Sequence, residues 1–337
     1  MNKKYRAFAL FSGGLDSIIS VLWMEKIGVE VVPVFFKTPF FGPEKAIEMA
    51  EKSGINLTVI DISKEHMEMV LNPKYGYGKN LNPCIDCHGM MFREAAKRMS
   101  EYNIDFIISG EVLAQRPMSQ RKNSLSSVAK LSGIKDLIVR PLSQKLLQDT
   151  LPIREGWINK EDLLDIQGRT RQRQIEIAKE FNITEFPNAG GGCALTDVNF
   201  SARLRDLIEN EMYEIHKIDF LKYGRHFRLS KNTKLVIGRN KAENDIITDL
   251  CDETDLVLKA ADIPGPLAVI QSKNTPSLEE LKLASGILLR YNLKAEGQNK
   301  IVYGEKFNLK NEIYSEPLIE GQENQYHILR KAKKNGK

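Results

Sequence analysis

The sequence predicts an α/β fold, a doubly wound and mostly parallel sheet, followed by a second, smaller α+β domain. Three observations predict it. Short apolar runs alternate with helical runs from the amino terminus onward. The first strand–helix junction carries Ser12-Gly13-Gly14-Leu15-Asp16-Ser17, a turn rich in small residues. From about residue 225 the texture changes to short alternating strands separated by turns.

Taken in order, residues 7–11 (AFALF) are apolar enough for a buried strand, and residues 16–26 follow as a helix. Strand 30–36 (EVVPVFF) leads to helix 43–53, with Pro43 just inside its start. Residues 57–62 (LTVIDI) make a third strand. Residues 71–83 contain Gly, Asn, Pro and Tyr without a period and read as a mobile loop delivering Cys84-Ile85-Asp86-Cys87-His88. Helix 89–101 and strand 104–108 follow, the latter ending in Ser109-Gly110-Glu111. Residues 113–132 are polar, 137–140 (LIVR) fit a fifth strand, and 171–180 a helix. A glycine loop, Gly190-Gly191-Gly192, precedes Cys193, and residues 201–222 read as a helix leaving the first domain. The expected organisation is therefore a nucleotide-binding domain at 1–200, a connecting helix at 201–222 and an α+β domain at 223–337. In the latter, HFRLS, KLVIG, DLVLKA, LAVIQ, IVYG, FNLK and YHILR read as strands, 277–289 as a helix, and the basic residues 330–337 as a frayed tail.

The 337 residues suffice for two or three domains. Lys and Arg number 49 against 44 Asp and Glu, a net charge of +5 that permits a nucleic-acid partner without requiring one. No apolar run reaches a membrane span, and the apolar amino terminus runs straight into the glycine turn as a core strand. A cytoplasmic location is expected, where the four cysteines would not form structural disulfides.

Glycines at a strand–helix turn let a ligand approach the backbone, and the helix start offers unpaired N–H groups. The turn at 12–17 is thus a phosphate cradle, though no Gly-Lys-Ser/Thr closes it as in a Walker loop. Lys37 and Phe40 follow the second strand, at the edge where such sheets bind ligands, and Phe40 or Phe41 could line an adenine pocket. Cys84-x-x-Cys87 alone fits a redox pair, half a zinc site or part of an iron–sulfur site. Cys193, approached through three glycines, adds a third thiol. Three thiolates can hold three irons of a [4Fe–4S] cube and leave the fourth open, whereas closed zinc needs a fourth ligand, for which His88 is the neighbour. Asp86 could act as a base or steer sulfide, and Cys251 reads as an inert buried thiol.

SGGLDS resembles the pyrophosphate-binding loop of the adenylating (PP-loop) ATPases, whose fold is adenine nucleotide alpha hydrolase-like. Together with PCIDC and GGGC followed by Leu195-Thr196-Asp197, it resembles the tRNA thiolation enzymes of that superfamily over about residues 5–210. SGEVLAQRPMSQ at 109–120 and Val139-Arg140-Pro141-Leu142 resemble the 4-thiouridine synthases; NPCIDCHGMMF at 82–92 resembles the 2-thiouridine synthases. The two catalytic cysteines of the latter match Cys87 and Cys193, and Cys84 stands where many of them have Asp, which points to the iron–sulfur-dependent variety. Gly238-Arg239-Asn240, Glu243-Asn244-Asp245 and Ala261–Pro266 resemble in part an RNA-binding module of ribosome-quality-control proteins.

The resemblance implies an ATP-dependent tRNA sulfurtransferase that adenylates a uridine carbonyl and replaces its oxygen with sulfur. Gly13 and Gly14 N–H groups with the Ser12 and Ser17 hydroxyls would hold pyrophosphate, and Asp16 would bind Mg²⁺. Cys84, Cys87 and Cys193 would carry a [4Fe–4S] cluster presenting sulfide. Arg116, Arg121, Lys122, Arg169, Arg171 and Arg173 are candidates for RNA phosphates, and Gln115 and Gln120 for the base or ATP. Expected partners are tRNA and either sulfide or a sulfur-donor protein, with a homodimer left open. No RNA-binding extension is expected before the loop and no rhodanese-like domain after it, so the carboxy-terminal domain and free sulfide would take those roles. Two alternatives stand beside this: cluster-free chemistry with a Cys87 persulfide released by Cys193, and a non-enzymatic RNA-binding factor with a vestigial nucleotide site. A small-molecule ligase would need no such cysteines.

Overall fold

The computed structural model describes residues 4–187, 192–306 and 308–328. It divides into two compact units, Met1–Cys193 and Ala194–Lys337.

The first unit is built on five parallel strands, β1 (Arg6–Leu10), β2 (Glu30–Lys37), β3 (Thr58–Asp61), β4 (Phe106–Ser109) and β5 (Ile138–Val139), in the order β3-β2-β1-β4-β5. The order reverses between β1 and β4, and register places Leu10 beside both Val34 and Ser109. The loops after β1 and β4 therefore leave the same edge, where open parallel sheets bind ligands. Among the described residues seven α-helices accompany the sheet: α1 (Leu15–Lys26), α2 (Glu44–Lys52), α3 (Ser63–Leu71), α4 (Cys84–Arg98), α5 (Lys122–Ser132), α6 (Leu151–Arg154) and α7 (Gln172–Glu180). Central strands are buried on both faces, as their uninterrupted apolar runs require. Ala7, Ala9, Phe106 and Ile108 pack with Ile18, Val21 and Met24 of α1 on one side. Phe8, Ile107 and Ile138 pack with Met90, Phe92 and Val128 of α4 and α5 on the other.

Two helices escape the hydrophobic pattern. In α3, His66 takes a core position beside Met67 and Val70, so its apolar face is completed by an imidazole. In α5, polar residues dominate, and Leu125, Val128, Ala129 and Ser132 mark the buried stripe. The helix expected from residue 89 begins instead at Cys84, directly after Pro83, which corrects the expectation that both cysteines lie in a mobile loop.

The second unit contains α8 (Val198–Glu209), strands β6 (Arg225–Arg228), β7 (Thr233–Ile237), β8 (Leu256–Ala260), β9 (Leu267–Ser272), β10 (Asn299–Glu305) and β11 (Asn308–Ser315), and helices α9 (Lys241–Leu250) and α10 (Leu278–Arg290). The six strands form an antiparallel sheet in the order β11-β10-β8-β9-β7-β6. Alternation sends Phe227, Leu235, Leu258 and Ile270 toward α10, and Val236, Val257 and Val269 toward Phe220, Ile247 and Cys251 on the other face. Ser277 and Glu280 form a complete capping box at the start of α10.

The single helix expected over 201–222 is two pieces. Asp197 caps α8 early, accepting from the Phe200 N–H at 2.7 Å. Beyond Asn210, Glu211 takes φ 54°, a left-handed conformation that ends the helix, and Ile215–Lys222 forms a 3-10 turn. YHILR is not a strand among the described residues; a 3-10 turn over Gln322–Gln325 and one bridge, Phe227 to His327, stand there. Residues 330–337 and Gly190 and Gly191 lie outside the described residues.

Candidate active site

The loop after β1 is wedged between two elements. Gly13 has φ +73°, and a Cβ there would stand 2.8 Å from Ala46 Cα of α2. Gly110, one residue past β4, faces the other side, where a Cβ would stand 2.6 Å from the Asp16 carbonyl carbon. Only glycine permits either approach. Gly14 caps α1 without a side-chain bond, so the helix start keeps donor N–H groups facing the edge of the sheet.

The two serines expected to hold pyrophosphate are engaged within the loop. Ser17 Oγ donates to Gly14 O at 2.8 Å and lies 3.3 Å from Ser12 Oγ. Ser17 is buried and braces the turn; Ser12 is exposed. Asp16 accepts from Gln115 Nε2 at 3.2 Å, while its other oxygen is buried without a hydrogen bond. Burial raises the Asp16 carboxyl above its ordinary range, opposed by the Arg171 charge, Gln115 and Arg116. Gln174, wholly buried on α7, stands against the same carboxylate. A buried carboxylate oxygen left bare suits a hard cation, so Asp16 fits Mg²⁺ by donor chemistry.

The residues after β2 are placed differently from expectation. Phe40 is 1% exposed and packs on His66 at 5.4 Å between ring centroids. It is a core residue, not part of an open adenine pocket, because the Thr38–Phe41 bridge turns it inward. Lys37 is exposed and pairs with Asp61 at 3.0 Å.

Cys84 and Cys87 occupy the first turn of α4, three residues apart and hence on one face. Asn82 Nδ2 donates to Cys84 Sγ at 3.2 Å. His66 Nε2 lies 3.2 Å from Cys87 Sγ, and burial holds that imidazole neutral, its pKa pushed down to about 4. The Cys87 thiol is pushed well up, first by the surrounding protein and then by charge on Cys193 and Cys84. Such a soft donor set fits a thiolate-held centre in its chemistry. Its spacing does not reach a coordination shell: among the described residues no three His, Cys, Asp or Glu side chains are disposed to hold a metal ion.

Asp86 does not face these thiols as a base. It is 5% exposed, and its two oxygens accept from the backbone N–H groups of Lys74 and Tyr75, each at 2.9 Å. It pins the 72–83 segment to α4. Cys251 is buried in the second unit, its thiol pushed to about 12, as an inert core residue.

A buried network joins the two halves of the edge. Glu111 accepts from Arg140 Nε at 2.8 Å, Ser109 Oγ at 3.2 Å and His88 Nδ1 at 2.9 Å. Burial alone would raise this carboxyl, but the Arg140 charge and His88 outweigh it and hold it at about 2. The sequence offered Glu111 and Arg140 only as parts of longer segments, and it offered no signal for His66 or Gln174.

Of the basic candidates, Arg171 turns inward toward Asp16 and stacks over Phe186 at 5.7 Å, and Arg173 pairs with Glu176 at 3.1 Å. Arg116, Arg121, Lys122 and Arg169 are exposed. In the second unit, Asn240 caps α9 through the Glu243 N–H, Arg239 pairs with Glu243 at 3.3 Å, and Asn244 Oδ1 accepts from the Leu267 N–H. These residues lock a turn.

Residues 3–145 match the family model described as thiamine biosynthesis protein (ThiI), and residues 224–327 match the NFACT protein RNA binding domain. The chain is 27% identical over 191 residues to a probable tRNA sulfurtransferase of Thermococcus kodakarensis, covering 54% of this chain and 45% of that one. It is 30% identical over 185 residues to the tRNA-specific 2-thiouridylase MnmA of Methylobacillus flagellatus, covering 49% and 50%. The chain spans about half the length of the curated relatives it matches. A solved 4-thiouridine synthetase–RNA complex with bound ATP aligns at 21% identity and TM-score 0.37 over 54% of this chain and 43% of that one. No helix among the described residues is long and apolar enough to cross a membrane. The first unit resembles the PP-loop tRNA thiolation enzymes, and the second resembles the NFACT RNA-binding module.

Proposed function

We propose that this protein is an ATP-dependent tRNA sulfurtransferase forming AMP and pyrophosphate. The observation that carries the reading is the placement of a phosphate loop and a thiol group at one sheet edge, joined by the His88–Glu111 bond at 2.9 Å. The N–H groups at the start of α1 hold the pyrophosphate end of ATP, and Asp16 offers a bare oxygen to Mg²⁺. A uridine carbonyl oxygen attacks the α-phosphate, pyrophosphate leaves, and the ring carbon then carries AMP as leaving group. Cys84, Cys87 and Cys193 would hold a [4Fe–4S] cluster, which when bound supplies hydrosulfide as the nucleophile. The second unit holds the tRNA, a role supported by its match to an RNA-binding domain.

A second reading is supported by the electrostatic influence of Cys193 on Cys87. Cys87 would accept a sulfane sulfur from a donor, giving Cys87–S–SH. Its terminal sulfur attacks the activated carbon and AMP departs. The Cys193 thiolate then attacks the Cys87 sulfur, releasing the thiocarbonyl product and leaving a disulfide for an external thiol to reduce.

Anaerobically purified protein given ATP, Mg²⁺, sulfide and unmodified tRNA should yield a thionucleoside, AMP and pyrophosphate. ADP in place of AMP refutes the activation step. Nucleoside analysis distinguishes 4-thiouridine from 2-thiouridine. Iron and sulfide content, lost on Cys84→Ala, Cys87→Ala or Cys193→Ala and kept on Cys251→Ala, supports the cluster. Full activity from a persulfide donor in iron-free protein selects the second reading, and full activity with stoichiometric zinc defeats the open-iron mechanism.

A further inference from the structure

Residues 74–79 read Lys-Tyr-Gly-Tyr-Gly-Lys, two aromatic residues interleaved with glycines between two cations. Three anchors hold the backbone of this run. Asp86 accepts from the N–H groups of Lys74 and Tyr75, each at 2.9 Å. The Tyr77 hydroxyl donates to the Val70 carbonyl, near the end of α3, at 2.7 Å. The Gly78 N–H donates to Asn82 O at 2.9 Å. Gly76, at φ +71°, turns the chain between the two tyrosines. Asp86 lies between Cys84 and Cys87 in the first turn of α4, so the run is fixed beside the turn that carries both thiols. Its side chains are left open. Tyr75 is 44% exposed and Tyr77 41%, and no other aromatic side chain among the described residues of the first unit is exposed. Among the described residues the Tyr75 side chain makes no hydrogen bond and no ring contact. Lys74 and Lys79 are exposed and join no ion pair among the described residues, whereas Lys37 and Lys52 are taken up by Asp61 and by Glu48 and Glu185. Residues 72–83 contain no acidic residue, so nothing in the run opposes a polyanion.

From this arrangement we infer that residues 74–79 are a landing surface for an unpaired stretch of the substrate tRNA, in which Tyr75 stacks on a base and Lys74 and Lys79 take the neighbouring phosphates. Every nucleobase presents a π-face, so an open tyrosine ring receives an unstacked base whatever its identity, and lysines beside it neutralise the backbone. A ring carried on an already ordered backbone loses little further freedom when a flat partner arrives. Chemistry at a ring carbon also requires the base to leave its stack, and a stacking surface beside the thiol-bearing turn gives the strand a place to open onto. The inference rests on the sulfurtransferase reading and assigns the place where its RNA meets that turn.

The test uses full-length protein and unmodified tRNA transcript, with binding measured over a range of salt concentrations. On the scale of base–aromatic stacking, Tyr75→Ala should weaken tRNA binding roughly 5- to 150-fold, while Tyr75→Phe, which keeps the ring, should stay within about twofold of the wild type. Neither change touches the backbone N–H that Asp86 accepts, so Tm and ATP affinity should stay at wild-type values. Lys74→Ala and Lys79→Ala should each reduce the slope of log affinity against log salt by about 1. A transcript carrying 5-bromouridine, irradiated in the complex, should cross-link to a peptide containing residues 74–79, and the cross-link should vanish in Tyr75→Ala and persist in Tyr75→Phe. Wild-type affinity in Tyr75→Ala, an equal loss in Tyr75→Phe, or salt slopes unchanged in both lysine variants overturns the inference. Pyrophosphate release by the wild type separates the two levels. Its absence with tRNA bound overturns the sulfurtransferase reading; release together with wild-type binding by Tyr75→Ala overturns the landing surface alone.

Discussion

Replacing Gly110 with Ala tests whether the edge of the sheet positions the phosphate loop. The added Cβ would meet Asp16 C at 2.6 Å, Asp16 O at 2.7 Å and Ser17 N at 2.7 Å. Ordinary contact begins near 3.4 Å, so about 0.8 Å of separation must be found. All three neighbours are backbone atoms, which cannot rotate away as a side-chain tip would. The loop cannot retreat freely either, since Gly13 already abuts Ala46 on its far side. Overpacking of this kind costs about 1–3 kcal/mol, which in a unit of this size lowers Tm by roughly 2–10 °C. The functional loss should be larger, because a displacement near 1 Å at a site of group transfer costs about a hundredfold. Differential scanning calorimetry and RNA-dependent pyrophosphate release read the two effects. A Gly110→Ala protein with wild-type Tm and wild-type release would show that β4 does not hold the loop, and the account of the site would fail.

Phe40→Ala should destabilise the first unit by about 3–5 kcal/mol while leaving nucleotide affinity within a few-fold, as expected of a core aromatic; weakened ATP binding with unchanged Tm would restore it to the nucleotide pocket. Glu111, at about 2 against an ordinary 4.5, contributes about 3 kcal/mol of stability that is present above pH 4.5 and lost as pH falls toward 2. Glu111→Gln should remove that acid dependence in denaturant titrations; an unchanged acid limb refutes the assignment. Lys234 is wholly buried without a hydrogen bond, its pKa lowered from 10.5 to about 7 by burial. Above pH 7 the unfolded chain therefore binds more protons, and stability rises with pH up to about 10.5. Lys234→Met should stabilise by several kcal/mol at pH 6–7, with a gain that shrinks as pH rises to about 10.5; a pH-independent gain contradicts the buried-charge account.

By itself the sequence determined the elements whose signals are local. AFALF, EVVPVFF and LTVIDI are apolar enough to be buried strands wherever they land, and the glycines of Ser12–Ser17 specify a cradle because only glycine tolerates that backbone. Short strand runs such as KLVIG and LAVIQ marked the second unit as α+β for the same reason, while the antiparallel pairing of its sheet came from the structure. The tertiary structure decided what depends on neighbours remote in the chain. Phe40 and Phe41 are adjacent, and only the turn after β2 seals Phe40 inside. Asp86 sits between two cysteines, yet two backbone N–H groups about a dozen positions earlier claim its oxygens. His66 lies 21 positions from Cys87, and Glu111 lies 23 from His88 and 29 from Arg140. No periodicity links such residues. The parallel sheet brings their loops to one edge, and burial there decides which carboxylate stays ionised, which imidazole stays neutral and which polar atoms are left to meet a ligand.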